Sequence, residues 1–146
     1  MKVLLLNGSP RKEGCTFTAL SEVAKTLNQN GIDTEIFQAG DPDKDNVKAA
    51  AAKLKEADAL VVGSPVYWAS PTGQIIEFMD KLCSMAGKDM LHKPAAAVAS
   101  ARRAGTTATL DVLQKYFSYH EMPIVSANYW NTVSYTHLTL PTILLV

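Results

Sequence analysis

The sequence predicts a single α/β domain, built on a mostly parallel sheet of five strands with helices on both faces. Two observations support this fold class. Short, fully apolar runs bounded by turn-forming residues recur along the chain, and each is typical of a buried strand. Between these runs lie segments whose apolar residues repeat at the spacing of an amphipathic helix. This alternation of strand and helix continues almost to the end of the chain.

The first half of the chain contains two strand–helix units. The first strand covers residues 3–6, and helical periodicity follows over residues 17–27 until Gly31 stops the helix. A short second strand is expected at residues 34–37. An apolar stripe at i, i+3, i+4 and i+7 then predicts a second helix over residues 46–56.

The second half repeats the pattern. The third strand covers residues 59–63, and a helix with one apolar face begins near Thr72. An apolar run at residues 95–99, opened by a proline, is the fourth strand. Helical periodicity over residues 110–117 gives the fourth helix, and residues 124–127 form the fifth strand.

The C-terminal tail departs from this pattern. A doubly wound domain would add a helix after Asn131, but residues 133–146 show no helical period and no capping signal. Their string "VSYTHLTLPT" is similar to the translation of a sequencing-library adaptor. We therefore expect residues 1–132 to be a truncated domain lacking its last helix, residues 133–146 to be a non-native tail, and the natural protein to be longer. A β-rich native C-terminus is the alternative.

Composition excludes several classes of function. Hydrophobic residues make up 47% of the chain, as in ordinary globular proteins. Fourteen basic and 14 acidic residues balance, which argues against a nucleic-acid or membrane-surface binder. Without a signal peptide or a long apolar span, Cys15 and Cys83 are expected to be free thiols in the cytoplasm. The three histidines show no ligand spacing, so no metal site is expected.

The first candidate site is the loop "NGSPRKEGCT" between the first strand and the first helix. Its two glycines permit close backbone approach, and Ser9, Thr16 and backbone N–H groups can donate hydrogen bonds at a helix N-terminus. Arg11 adds a planar fork for phosphate oxygens and Lys12 a point charge. A terminal phosphate is the expected ligand, although the loop lacks the Gly-Lys-Ser/Thr ending of nucleotide P-loops. The alternative is a proline turn with a solvated Arg–Lys pair.

The second candidate is "GSPVYWASPTG", after the third strand. Pro65 and Pro71 bracket a stiff segment with two aromatic residues, Tyr67 and Trp68, that could line a flat aromatic ligand. Alternatively, these aromatic residues cover the end of the sheet or anchor an oligomer interface.

The third candidate, "SARRAGTT", follows the fourth strand. Either Arg102 or Arg103 could offset negative charge on a reduced ring, but adjacent arginines are more often a solvated pair. Since the carboxyl ends of parallel strands meet at one edge of the sheet, the three loops should converge there. Together they favour a phosphorylated planar cofactor.

In this order and spacing, the motifs resemble the NADPH-dependent FMN reductase group of the flavodoxin-like superfamily, over residues 1–131. "GSPRKEGCT" is similar to the FMN phosphate loop of that group, and "GSPVYWASPTGQIIEFMDK" to its flavin-ring loop and following helix. "ASARRAGTTATLDVL" and the later "YWN" match the third loop and the end of the fifth strand. The resemblance implies a flavodoxin-like doubly wound sheet with its five strands in the order 2-1-3-4-5.

The resemblance also implies the cofactor-binding residues. Around the FMN phosphate it implies Ser9, Arg11, Cys15 and Thr16. We add Lys12 to this group because it lies in the same loop and carries a positive charge. Flanking the isoalloxazine ring it implies Pro65, Val66, Tyr67 and Trp68. At the polar edge of the ring it implies Ser100, Arg102, Arg103 and Gly105.

Two departures from the family pattern matter. Cys15 stands where the group usually has Asn, and a thiol is a weaker hydrogen-bond partner, so phosphate affinity is expected to fall somewhat. We expect Cys15 to be a small buried residue rather than a reactive thiol. Many relatives also carry a CxxC segment before the second helix, which in some binds an iron–sulfur cluster. Here that region is "QAGDPDKDN", so no cluster is expected.

The implied function is a ping-pong oxidoreductase that passes hydride from NAD(P)H through bound FMN to a quinone, flavin, nitro or azo acceptor. No side chain need act as an acid or base. The full-length form is expected to be a homodimer or homotetramer. One alternative is a flavodoxin-like electron carrier without NAD(P)H activity, which the neutral net charge disfavours. The other is a non-functional truncated fragment.

Overall fold

The computed structural model describes residues 1–127, which form a parallel sheet covered by helices on both faces. The strands are β1 (Lys2–Asn7), β2 (Asp33–Gln38), β3 (Ala59–Tyr67), β4 (Ser70–Pro71) and β5 (Ala95–Ser100). The helices are α1 (Cys15–Gln29), α2 (Lys44–Glu56), α3 (Gly73–Ala86) and α4 (Thr106–Tyr119), with a short 3₁₀ helix at Gly87–Asp89. None of the helices within this part of the chain is long and apolar enough to cross a membrane.

The sheet confirms the predicted fold class. β1 lies between β2 and β3, parallel to both, and β5 pairs in parallel with the other side of β3. β5 corresponds to the predicted fourth strand. The observed order β2-β1-β3-β5 therefore matches the predicted order of the first four strands, 2-1-3-4. All four strands therefore present their carboxyl ends at the same edge.

The third strand is longer than predicted. β3 does not end at Gly63 but continues to Tyr67, where it turns back as a hairpin onto β4. Gly and Pro residues in this segment predicted a loop. The ladder between β1 and β3 stops at Gly63. At Ser64 and Pro65, β3 pairs only with β5, so the missing N–H of Pro65 is tolerated.

The prediction of a fifth strand over residues 124–127 is wrong. Among the described residues, this segment forms one isolated bridge and no strand. Ile124 forms a single parallel bridge to Ala95, and the Val125 N–H donates to the Ala95 carbonyl at 2.8 Å. The side chains of Ile124 and Val125 are 39% and 61% exposed, so little packing stabilises a longer ladder. The "YWN" motif, the expected missing helix and the expected non-native tail lie outside the described residues.

Alternating residues of β1 reach the two cores. Val3 and Leu5 face the smaller core, formed with Leu20 and Ala24 of α1. Leu4 and Leu6 face the larger core, which also contains buried side chains of α2, α3 and α4. Both faces of the central strand are therefore covered, as its fully apolar sequence indicated.

Three helices begin earlier than predicted, among them α4, which begins at Thr106 rather than at residue 110. α2 begins at Lys44 because the Asp43 carboxylate accepts the Asp45 N–H at 3.0 Å and caps the helix. α1 begins at Cys15, so Cys15 and Thr16 belong to its first turn rather than to the preceding loop. The expected start of α3 is confirmed, since Thr72 is its N-cap residue.

Glu35 of β2 joins three elements and gives a pH-dependent prediction. Its carboxylate pairs with Lys53 of α2 and with Lys2 of β1, the latter at 3.1 Å. Hydrogen bonds from Lys53 and then Lys2 lower the pKa of Glu35 below its ordinary 4.5. Since the folded-state pKa is the lower one, the stabilisation is complete above about pH 4.5 and is lost as the pH falls through the folded value.

We therefore expect Glu35→Gln to lower the free energy of unfolding by about 0.5–1 kcal/mol near neutral pH. The difference from wild type should shrink in acid, as urea unfolding at about pH 7 and about pH 3 would measure. Glu22→Gln, which breaks a mostly exposed pair with Lys25, is the control and should have a smaller effect. An equal loss for Glu35→Gln at both pH values would contradict the linkage.

Candidate functional site

The three loops singled out in the sequence meet at the carboxyl edge of the sheet. The Gly8 N–H donates to the Gly63 carbonyl at 2.8 Å, and the Thr72 hydroxyl donates to the Gly8 carbonyl at 2.9 Å. These bonds join the first loop to the end of β3 and the start of α3. The hydroxyls of Thr16 and Ser100 lie 2.8 Å apart and join the first turn of α1, directly after the first loop, to the end of β5, directly before the third.

The first loop is held by residues that sequence reasoning missed. The Ser9 N–H donates to Asn7 Oδ1 at 3.2 Å, and Asn7 Nδ2 donates to Gln38 Oε1 at 2.9 Å. Gln38 Nε2 donates back to the Ser9 carbonyl at 2.5 Å. Asn7 also donates to the Lys12 carbonyl at 3.1 Å. The available signal was a polar residue at the end of each of two adjacent strands.

Close packing on either side fixes the same loop. A Cβ added to Gly40 would lie 2.0 Å from the Ser9 carbonyl oxygen, so only glycine lets the β2–α2 connection approach this closely. A Cβ added to Gly8 would lie 2.7 Å from the Gly63 carbonyl oxygen. The Ser9 hydroxyl in turn accepts the Arg11 N–H at 3.1 Å and shapes the turn that follows.

The helix N-termini at this edge differ in how they are capped. The N-cap residues of α1 and α4 are Gly14 and Gly105, and these two helices have no side-chain cap and no acidic residue in the first turn. α2 and α3 have side-chain caps, from Asp43 and Thr72. Uncapped N–H groups and the positive end of the helix dipole favour an anion at the starts of α1 and α4.

The aromatic loop is a β-hairpin with two left-handed residues. Trp68 and Ala69 have φ values of 53° and 58°, as at both central positions of a type I′ turn. Non-glycine residues there carry strain, which often marks functional sites. The Trp68 side chain is 100% exposed and that of Tyr67 45% exposed.

Gly105 is required by both space and conformation. Its φ is +97°, and an added Cβ would lie 2.7 Å from the Ala69 Cα. The start of α4 therefore lies against the hairpin turn. One turn into α4, the buried Thr109 hydroxyl has no hydrogen-bond partner among the described residues, as expected of a group that a ligand or water completes.

The predicted cofactor-binding residues divide by exposure. Buried are Ser9, Thr16, Pro65 and Ser100; half-buried are Cys15, Val66 and Gly105; exposed are Arg11, Lys12, Tyr67, Trp68, Arg102 and Arg103. The exposed members are the cations and aromatic rings that would face a ligand, whereas the buried ones shape the backbone. Their individual contacts with FMN remain predictions.

Cys15 and Cys83 are both free, and they lie on different helices. Burial, followed by the nearby Asp80 carboxylate, raises the pKa of the Cys83 thiol to about 12, so the thiol stays protonated at neutral pH. Cys83 lies near the opposite end of α3 from Thr72. Within residues 1–127, no group of three or more His, Cys, Asp or Glu side chains could hold a metal ion.

The donor set fits FMN. A phosphate needs N–H donors, a helix N-terminus and cations, and these are present between Ser9 and Thr16. A flat ring needs an apolar, aromatic wall beside it, and the hairpin turn supplies one. The three joined loops place both requirements at one edge of the sheet.

Comparisons with known proteins agree with this fit. The family model of NADPH-dependent FMN reductase matches residues 1–137. An iron–sulfur flavoprotein of Methanocaldococcus jannaschii is 30% identical over 149 residues, covering 88% of this chain and 77% of the relative. An NADPH azoreductase of a Bacillus species is 29% identical over 108 residues, covering 69% of this chain and 59% of the relative.

The fold agrees with solved structures. A flavodoxin from the domain Archaea superposes with a TM-score of 0.73 at 17% identity, covering 98% of this chain and 91% of that one, and shows the flavodoxin-like fold. From the family match and the M. jannaschii relative, the chain belongs to the NADPH-dependent FMN reductase family, and it is a flavin oxidoreductase with FMN as cofactor and NAD(P)H as co-substrate.

Proposed function

We propose that the chain passes reducing equivalents from NAD(P)H through FMN to a small planar acceptor: a quinone, a second flavin, a nitro compound or an azo compound. The observation that carries the proposal is the junction of the phosphate loop, the aromatic hairpin and the arginine loop at the carboxyl edge of the sheet. The relative named NADPH azoreductase supports an azo acceptor within this set.

In this proposal the first loop binds the FMN phosphate. Arg11 and Lys12 are exposed and free to turn toward a dianion, while the uncapped first turn of α1 offers backbone N–H groups. The buried Ser9 and Thr16 hydroxyls keep these donors in place through their bonds to Arg11 and Ser100.

The ring then lies between the hairpin and the start of α4. Tyr67 and Trp68 would cover the isoalloxazine, and Arg102 and Arg103 would place positive charge at its polar edge. Bound FMN supplies the hydride chemistry, for which the side chains have no equivalent. No acid or base residue is needed, and the protein contributes position, electrostatics and exclusion of water.

We propose no iron–sulfur cluster for this chain, although the M. jannaschii relative is among those named for such a cluster. The chain has two cysteines, and cysteine-bound clusters of the common types take four thiolates. Cys15 and Cys83 lie on different helices.

Two free thiols suit a reducing compartment, and we propose the cytoplasm. We further propose a homodimer or homotetramer as the full-length form, with Trp68 near the interface.

The function is tested by steady-state kinetics with purified protein and added FMN. We expect oxidation of NADPH or NADH that requires FMN. Double-reciprocal plots of rate against acceptor concentration, at several fixed concentrations of NADPH, should be parallel lines, as a ping-pong reaction gives. A flavin absorption spectrum should accompany the protein through gel filtration. A flavin-loaded protein that turns over only with a partner reductase would instead indicate an electron carrier, and a preparation that binds no flavin would contradict the proposal.

A further inference from the structure

The side chain of Gln38 stands outside the loops that carry the proposed cofactor contacts, yet it completes a closed ring of hydrogen bonds around Ser9. The ring passes from the Ser9 N–H to Asn7 Oδ1, from Asn7 Nδ2 to Gln38 Oε1, and from Gln38 Nε2 to the Ser9 carbonyl. Both polar groups of the Ser9 backbone are thereby bound to side chains at the ends of β1 and β2.

The chemistry of the ring fixes the orientation of both amides. A backbone N–H only donates and a carbonyl only accepts, so Asn7 must present its oxygen and Gln38 its nitrogen to Ser9. The remaining Asn7 nitrogen and Gln38 oxygen then face each other as donor and acceptor. Asn7 and Gln38 are also register partners in the β1–β2 ladder, so the backbone holds the two side chains adjacent.

The ring controls a group that would oppose phosphate binding. A carbonyl oxygen turned toward a phosphate would repel it, and the Ser9 carbonyl is instead committed to Gln38 at 2.5 Å. The backbone of Gly40 closes over the same carbonyl, and Asn46 Nδ2 donates to the Gln38 carbonyl at 3.0 Å. The end of β2 is therefore itself anchored.

We propose that Gln38 is a positioning residue for FMN: it acts through Ser9 and Asn7, without touching the cofactor, to keep the phosphate loop in its anion-binding conformation. The inference rests on the proposed phosphate site. It predicts that the amide nitrogen of Gln38 matters more than the bulk of the side chain, because that nitrogen donates to the Ser9 carbonyl.

The test compares Gln38→Glu with wild type by titrating FMN and riboflavin against each protein and following the quenching of flavin fluorescence. At about pH 8 the introduced carboxylate has no proton to donate to the Ser9 carbonyl, so we expect FMN to bind at least about tenfold more weakly and riboflavin about equally. At about pH 4.5, where about half of the introduced carboxyl groups are protonated, a donor is restored, and the FMN defect relative to wild type should shrink several-fold.

Controls separate positioning from folding and from general charge. Gln38→Ala should weaken FMN binding by a similar factor at both pH values, because it removes the donor and adds no titratable group. Gln29→Glu adds the same charge at the exposed far end of α1, about 20 Å along the helix, and should leave both affinities unchanged. Thermal melting of each variant shows that the protein is folded.

The outcomes distinguish the two levels of inference. If wild type binds FMN no better than riboflavin, the proposed phosphate site fails, and the inference fails with it. If wild type prefers FMN but folded Gln38→Glu keeps the same affinity and pH dependence, the positioning role alone is overturned. An equal loss of FMN and riboflavin binding in Gln38→Glu would also overturn it, since it would indicate a general structural role.

Discussion

We expect Gly40→Ala to weaken FMN binding strongly and to destabilise the fold. The added Cβ would lie 2.0 Å from the Ser9 carbonyl oxygen and 2.8 Å from Gln38 Nε2. Because the first contact is with backbone, the β2–α2 connection and the phosphate loop must separate, which breaks the bond between Gln38 and Ser9. We expect a loss of about 2 kcal/mol in the free energy of unfolding, measured by urea denaturation, and at least about a tenfold loss in FMN affinity.

Gly73→Ala is the matched control for that substitution. Gly73 is the first residue of α3, is exposed, and has no atom within 4 Å of an added Cβ. Alanine there should leave FMN binding unchanged and stability within about 0.5 kcal/mol of wild type or slightly above it. If Gly40→Ala left FMN affinity and stability as unchanged as Gly73→Ala does, the close packing of the two loops would not be needed for FMN binding.

The second large effect is expected from Arg11→Ala, which removes the proposed bidentate contact with the phosphate. Charge-assisted hydrogen bonds of this kind contribute about 1.5–3 kcal/mol, so FMN affinity should fall between about tenfold and a hundredfold. Riboflavin has no phosphate, and its affinity should not change. Paired titrations of the two flavins, by fluorescence or calorimetry, give the ratio directly.

Lys25→Ala serves as the charge control for Arg11→Ala. Lys25 lies on α1 beyond the first turn, pairs with Glu22, and its side chain is 64% exposed. Its removal changes the net charge equally and should alter FMN affinity less than about twofold. An Arg11→Ala variant whose preference for FMN over riboflavin equals that of wild type would show that the phosphate binds elsewhere.

Much of the fold could be predicted because the apolar runs are buried on both faces. Residues 3–6 show no polar alternation, and β1 indeed contributes Val3 and Leu5 to one core and Leu4 and Leu6 to the other. Where local signals conflicted, the prediction was wrong. The prolines at 65 and 71 indicated a loop, yet β3 continues through Pro65 by pairing with β5. A proline is tolerated there because the ladder with β1 has already ended.

The meeting of the three loops at one edge of the sheet could be predicted from the sequence, but the contacts that hold the loops in place could not. Strand–loop–helix order placed three loops at one edge, since the carboxyl ends of parallel strands meet there. The residues that fix those loops come from elsewhere: Gln38 is the last residue of β2, and Gly40 follows it. Their role depends on which strand neighbours β1 and on a clearance of a few ångströms, neither of which a periodicity reveals.

The most direct test is a crystal structure of the protein soaked with FMN. We expect phosphate density at the carboxyl end of β1, within hydrogen-bond distance of backbone N–H groups at the start of α1, with the ring beside the Tyr67–Trp68 turn. Phosphate density against Arg102 and Arg103 instead, with the loop from Ser9 to Thr16 left empty, would contradict it.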